Sequence, residues 1–62
     1  MEATIYMEGR KVAWFAEAVD AYDYLTHGEP TFNGKIYRVD TEHEDYCGYY
    51  YDGEWYETEE EI

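Results

Sequence analysis

Only nine of the 62 residues are Leu, Ile, Val or Phe, whereas thirteen are aromatic, nine of them Tyr. That ratio constrains the fold more than any other feature of the chain. Scarce aliphatics combined with a net charge of −12 fall in the compositional range of disordered chains. Disordered acidic chains, however, are poor in aromatics. Each buried ring removes about 150–250 Å² from water, so at about 25 cal/mol/Å² a few rings outweigh several missing aliphatics. The expected result is one small folded domain over residues 1–62, built on an aromatic core. A chain of this size buries only about 60% of the surface its unfolded form exposes, so the core is thin.

Periodicity gives the element order. Alternation predicts a strand over 3–7, a turn at Glu8-Gly9-Arg10 and a returning strand over 11–15. The period then changes. Phe15, Ala18, Val19, Tyr22 and Leu25 fall on one helical face, Gly28 stands where a left-handed C-terminal cap belongs, and Pro30 prevents continuation. Asn33-Gly34 marks a turn before a strand over 35–39. A Tyr-rich strand over 46–51 and another over 54–58 flank the hairpin turn Asp52-Gly53. The fold class is α+β: a small antiparallel sheet with one helix on one face, order ββαβββ. A two-residue turn pairs Tyr51 with Glu54, Tyr50 with Trp55 and Tyr49 with Tyr56. Trp55 and Tyr50 are expected inward, and Tyr49, Tyr51 and Tyr56 outward among carboxylates. The tail 59–62 is expected to fray.

Charge is uneven along the chain. Residues 1–39 carry six acids and all four bases, and residues 40–62 carry ten acids and no base. Direct binding to nucleic acid or an anionic membrane is therefore disfavoured by like charge. No apolar run approaches the roughly 20 residues of a membrane helix. One Cys excludes an internal disulfide, which favours a reducing cytoplasm.

Chemistry by bound groups finds little support. Asp40-x-Glu42-x-Glu44 begins like a calcium loop, but the sixth and twelfth positions are Asp45 and Tyr51, where Gly and an acid belong. His27, His43 and Cys47 are too few for a structural zinc site. Carboxylate pairs suit general acid–base catalysis, yet tuning them needs a pocket. So short a chain is expected to have little room for the roughly 300 Å³ such a pocket occupies. Cys47 beside His43 has the composition of a nucleophile pair, and a lone Cys in an aromatic strand reads more simply as a small buried hydrophobe. The chain is expected to be no enzyme and to hold no metal or cofactor.

The acidic surface remains. Glu17, Asp20 and Asp23 lie away from the apolar stripe of the helix, with Asp20 and Asp23 beyond the reach of the helix dipole. Asp40, Glu42 and Glu44, if extended, fall on one side at about 6.6 Å intervals. Asp45, Glu54 and Glu57 add to the field. Such clustering costs stability, and −12 exceeds the roughly 2–8 of an ordinary small domain. One explanation is a solvated face that keeps the protein soluble. The other is imitation of a nucleic-acid backbone: these acids, with Tyr49, Tyr51 and Tyr56 stacking against arginines, would occupy a Lys/Arg groove and exclude its ligand.

A very short, strongly acidic, Tyr-rich, cysteine-poor chain resembles, by size and charge, the phage-encoded DNA-mimic inhibitors of host defence: anti-CRISPR proteins, anti-restriction proteins and uracil-DNA glycosylase inhibitors. The resemblance rests on no motif and implies no fold, since those classes share none. It implies an inhibitor in the cytoplasm of a bacterial host, monomeric or homodimeric. Its partner would be a basic nucleic-acid-binding host protein: a CRISPR effector complex first, or a restriction or repair enzyme. The alternative is a protein-interaction module that docks through an exposed Tyr-rich patch and can homodimerise.

Overall fold

The computed structural model describes residues 1–28, 30 and 32–62. Glu29, one of the acids of the first half, lies outside them. Five strands form one antiparallel sheet: β1 (Ala3–Met7), β2 (Arg10–Phe15), β3 (Tyr37–Thr41), β4 (Gly48–Tyr51) and β5 (Glu54–Tyr56). The spatial order is β2-β1-β3-β4-β5. One helix, α1 (Ala18–His27), carries the chain from β2 past β1 to β3 and packs on one face of the sheet. The α+β class and the ββαβββ order are those the periodicity predicts.

Both hairpin turns follow from their residues. Glu8-Gly9 and Asp52-Gly53 each place two successive residues at positive φ, 53° and 79° in the first and 51° and 85° in the second. That geometry matches the twist of the strands it joins. The second turn fixes the register Tyr51–Glu54, Tyr50–Trp55 and Tyr49–Tyr56. Between the hairpins, Asn33 Oδ1 accepts the N–H of Lys35 at 3.0 Å, closing the turn that contains Gly34 at φ 78°.

The core is less aromatic than the composition suggests. Ala3, Ile5, Ala18, Ala21, Leu25 and Val39 fill it, with Tyr37 and Tyr50 the buried aromatics among the described residues. Both Trp side chains remain substantially exposed. The reason lies in α1, which buries Ala18, Ala21 and Leu25. Two alanines let the helix sit close to the sheet, leaving no space there for large rings. The apolar stripe is rotated accordingly: Val19, placed on it by spacing, is 63% exposed. Phe15 belongs to β2 instead, where it meets Tyr24 of the helix with ring centroids 5.6 Å apart.

The helix ends and strand limits also shift. The helix starts after Glu17, so Asp20 lies in its first turn and does gain from the dipole. Gly28 is extended (φ −103°) rather than left-handed. Its missing side chain serves close approach, since a Cβ there would lie 2.5 Å from the Tyr24 carbonyl oxygen. The third strand begins two residues later than expected, at Tyr37, and Tyr46 belongs to a one-turn 3-10 helix, Glu44–Tyr46, rather than to β4. The tail forms a second such turn, Glu59–Glu61, exposed throughout.

Trp55 and Tyr50 do lie on the inner face. Trp55 sits across Gly48, where a Cβ would come within 2.5 Å of Trp55 Cζ2 and 2.8 Å of the Tyr56 carbonyl oxygen. The backbone oxygen cannot easily yield. Gly48→Ala is therefore expected to cost about 1–3 kcal/mol, read as a lower urea midpoint. An unchanged midpoint would contradict this packing.

Candidate functional site

Every described carboxylate is exposed, so the acids form surface and nothing else. On α1, Glu17 takes the N-cap position without capping through its side chain. Its carboxylate instead meets the Met1 ammonium at 3.1 Å, and the Met1 carbonyl accepts the N–H of Ala18 at 2.7 Å. Asp20 and Asp23 project from the same exposed side of the structure, the side the helix forms.

The second acidic group gathers at one end of β3, β4 and β5. Asp40, Glu42 and Glu44 do not make the extended ladder their spacing allows. The strand ends at Thr41, and the chain turns into the 3-10 helix. That turn does something the ladder would not. It brings Asp40, Glu44 and Asp45 together with Glu57 along one open cleft of about 520 Å³, beside Arg38 and Tyr49. Glu42 stays exposed in the bend.

Local chemistry explains the turn. His43 Nδ1 accepts the N–H of Asp45 at 3.3 Å, capping the short helix, and His43 N–H donates to Thr41 Oγ1 at 3.2 Å. Cys47 is half-buried and works as a hydrogen-bonding post. Its sulfur accepts the N–H of Thr41 at 3.3 Å, and its thiol has the Thr41 carbonyl at 3.3 Å and the His43 carbonyl at 3.5 Å as acceptors. A nucleophile paired with His43 is not what this arrangement provides, because His43 faces Cys47 through its carbonyl. The Cys is more polar in its contacts than a plain buried hydrophobe.

The sheet face opposite the helix carries the three outward tyrosines. Tyr49, Tyr51 and Tyr56 are half-buried there, and Tyr56 donates its hydroxyl to Glu54 at 2.9 Å, which pushes the phenol pKa up. Register sets Tyr6, Arg38, Tyr49 and Tyr56 in a row across β1, β3, β4 and β5. Arg38 lies over the Tyr6 ring at 4.2 Å and reaches Asp40 at 4.0 Å. Residue types alone did not single out Tyr6, although alternation with buried Ile5 places it on this face. The acids of α1 and the tyrosines thus lie on opposite sides of the sheet, whereas Asp40 and Glu54 share the tyrosines' side.

Open clefts of about 520, 480 and 310 Å³ are larger than chain length suggests, because one helix cannot cover five strands. No group of three or more His, Cys, Asp or Glu among the described residues is arranged to hold a metal ion. No described helix is long and apolar enough to cross a membrane. No family model, curated protein or solved structure matches the chain.

Few cations offset this surface. Glu17, Glu8 and Asp40 meet the N-terminus, Lys35 and Arg38 within 4.0 Å, and Asp45 lies 3.9 Å from His43 Nδ1. The other described carboxylates have no such partner. Raising salt from about 0.01 M to about 1 M shortens the screening length from about 30 Å to about 3 Å. The melting temperature is then expected to rise by about 5 °C or more. A melt that salt does not move would mean the acids are spaced widely enough not to repel.

Proposed function

We propose that this domain imitates the charge of a nucleic acid and occupies a basic DNA- or RNA-binding groove of a bacterial host protein. A CRISPR effector complex is the first target to test, with restriction and repair enzymes next. The observation that carries the reading is charge density. Twelve net negative charges over a longest extent of 26 Å, 26 divided by 12, come to one per about 2.2 Å. Duplex DNA presents one per about 1.7 Å of axis. Two of the four bases are internally committed, Lys35 to Glu8 and Arg38 to Asp40 and Tyr6. Each pair cancels one acid as well, so the net charge of −12 is carried by the carboxylates outside these pairs. Steering by such a field speeds encounter with a positive groove.

A second reading has its own observation: the half-buried Tyr49, Tyr51 and Tyr56 on the sheet face opposite the helix. On that reading the domain docks, or self-associates, through aromatics.

Salt separates the two. The domain is immobilised, exposed to bacterial lysate, and eluted in salt steps, with proteins identified by mass. For a mimic replacing six to ten phosphates, affinity falls about 10³–10⁵-fold between 50 and 200 mM salt. Nucleic-acid-binding proteins are expected to elute in that range and to be displaced by added DNA or RNA. Retention that neither salt nor nucleic acid disturbs would overturn the mimic and favour aromatic docking.

A further inference from the structure

The cleft between α1 and the β4–β5 hairpin differs from the others in chemistry. Its volume is about 310 Å³, and Tyr22, Leu25, Tyr46, Tyr50 and Trp55 line it, with Asp45 at its mouth. Trp55 and Tyr22 meet edge to face at 84° with centroids 5.5 Å apart, forming an aromatic corner. The corner is held from both sides. Tyr22 donates its hydroxyl to the Tyr46 carbonyl at 3.0 Å, and Gly48 leaves the space that Trp55 fills. Burial raises the Tyr22 pKa, so the phenol stays neutral. Tyr46 and Trp55 nevertheless keep 48% and 40% of their surface exposed.

Apolar rings below and a carboxylate at the rim match a side chain with an apolar stem and a cationic head. We propose that this cleft receives one arginine side chain of the partner, its methylenes against the accessible faces of Tyr22 and Trp55 and its guanidinium between Tyr46 and Asp45. Arginine fits better than lysine because its planar head stacks on rings and is less strongly hydrated. The domain already builds this trio once on its other face, where Arg38 lies over Tyr6 beside Asp40. The His43 ring packs against Tyr46 at 5.2 Å, and its Nδ1 lies 3.9 Å from the Asp45 carboxylate. The choice of an arginine from a partner rests on the groove-binding reading above, whereas the cleft's preference for a guanidinium can be measured without any target.

The probe is N-acetyl-arginine amide, titrated into the isotope-labelled domain at about pH 8 and constant ionic strength. N-acetyl-citrulline amide, the uncharged shape match, is the control. The Trp55 indole signal is expected to move and the Trp14 signal, on the other sheet face, to stay. Citrulline is expected to bind about tenfold more weakly, and Tyr46→Ala and Asp45→Asn to weaken arginine binding about threefold each. Tyr46→Ala preserves the fold contact, because Tyr22 bonds to the backbone carbonyl. Equal binding of citrulline, matching shifts at Trp14, or folded variants that bind like the parent would each overturn the proposal. Charge reversal away from this cleft tests the groove-binding reading separately, so either can fail alone.

Discussion

Replacing Glu42, Glu44 and Glu57 together by Lys is expected to abolish binding to a basic nucleic-acid-binding partner and to leave the domain folded. All three are exposed, and no described ion pair or side-chain hydrogen bond depends on them. Asp40 is spared because it holds Arg38, and Asp45 because it borders the aromatic cleft. Each reversal adds two positive charges, so the net charge moves from −12 to −6. A like-charge clash in a groove costs several kcal/mol, which corresponds to an affinity loss of about 10²–10³-fold. A variant reversing Glu59, Glu60 and Glu61 reaches the same net charge from the exposed tail turn and is expected to lose far less. Reversing Glu17, Asp20 and Asp23 asks the same question of the helix side. Because one acidic group sits on the helix and the other at the end of β3, β4 and β5, a partner that reads one small surface will respond to one variant, and a groove that wraps the domain will respond to both. Calorimetry on all three variants checks this. Parent-like affinity in both the helix and the β-end variants would exclude an electrostatic groove contact.

The second large effect concerns stability. Leu25→Ala is expected to cost about 2–5 kcal/mol. Leu25 is fully buried between α1 and the sheet, and few other large side chains share that status. A core of this size rarely supplies more than about 3–5 kcal/mol in total. The variant should therefore be largely unfolded at 37 °C by circular dichroism. Val19→Ala is the control. Val19 is 63% exposed, and Ala is the better helix former, so its melt is expected to stay level or rise slightly. If Val19→Ala proved the more damaging change, the helix would have to be rotated back to the face that simple spacing suggests.

The strands and turns were legible in the sequence because their signals are local. Asp52-Gly53 and Glu8-Gly9 dictate tight turns through the positive φ that Gly tolerates; the β4–β5 register follows from its turn, whereas the β1–β2 register shifts between Ile5 and Tyr6. The helix face was legible only in part. Spacing identifies large apolar residues, so it selected Val19 and passed over Ala21, whose small side chain is what permits close packing. The acidic ladder failed for a different reason. Period-two reasoning assumes the strand continues, and the bonds of Thr41, His43 and Cys47 that stop it join side chains to nearby backbone. Composition carries no trace of those bonds. The inward placement of Tyr50 and Trp55 was legible from register, but the aromatic cleft was not. It needs Tyr22 from the helix and Tyr46 from the 3-10 turn, brought together only by the fold.

The central claim is that the domain and a nucleic acid compete for one basic groove. The most direct measurement is equilibrium competition on the captured target, with labelled DNA or RNA bound first and the domain titrated in at several salt concentrations. Binding is expected to be mutually exclusive. The nucleic acid is displaced in proportion to the domain added, and the affinity of the domain falls steeply and log-linearly with salt. A ternary complex holding target, nucleic acid and domain together, or an affinity indifferent to salt, would contradict it.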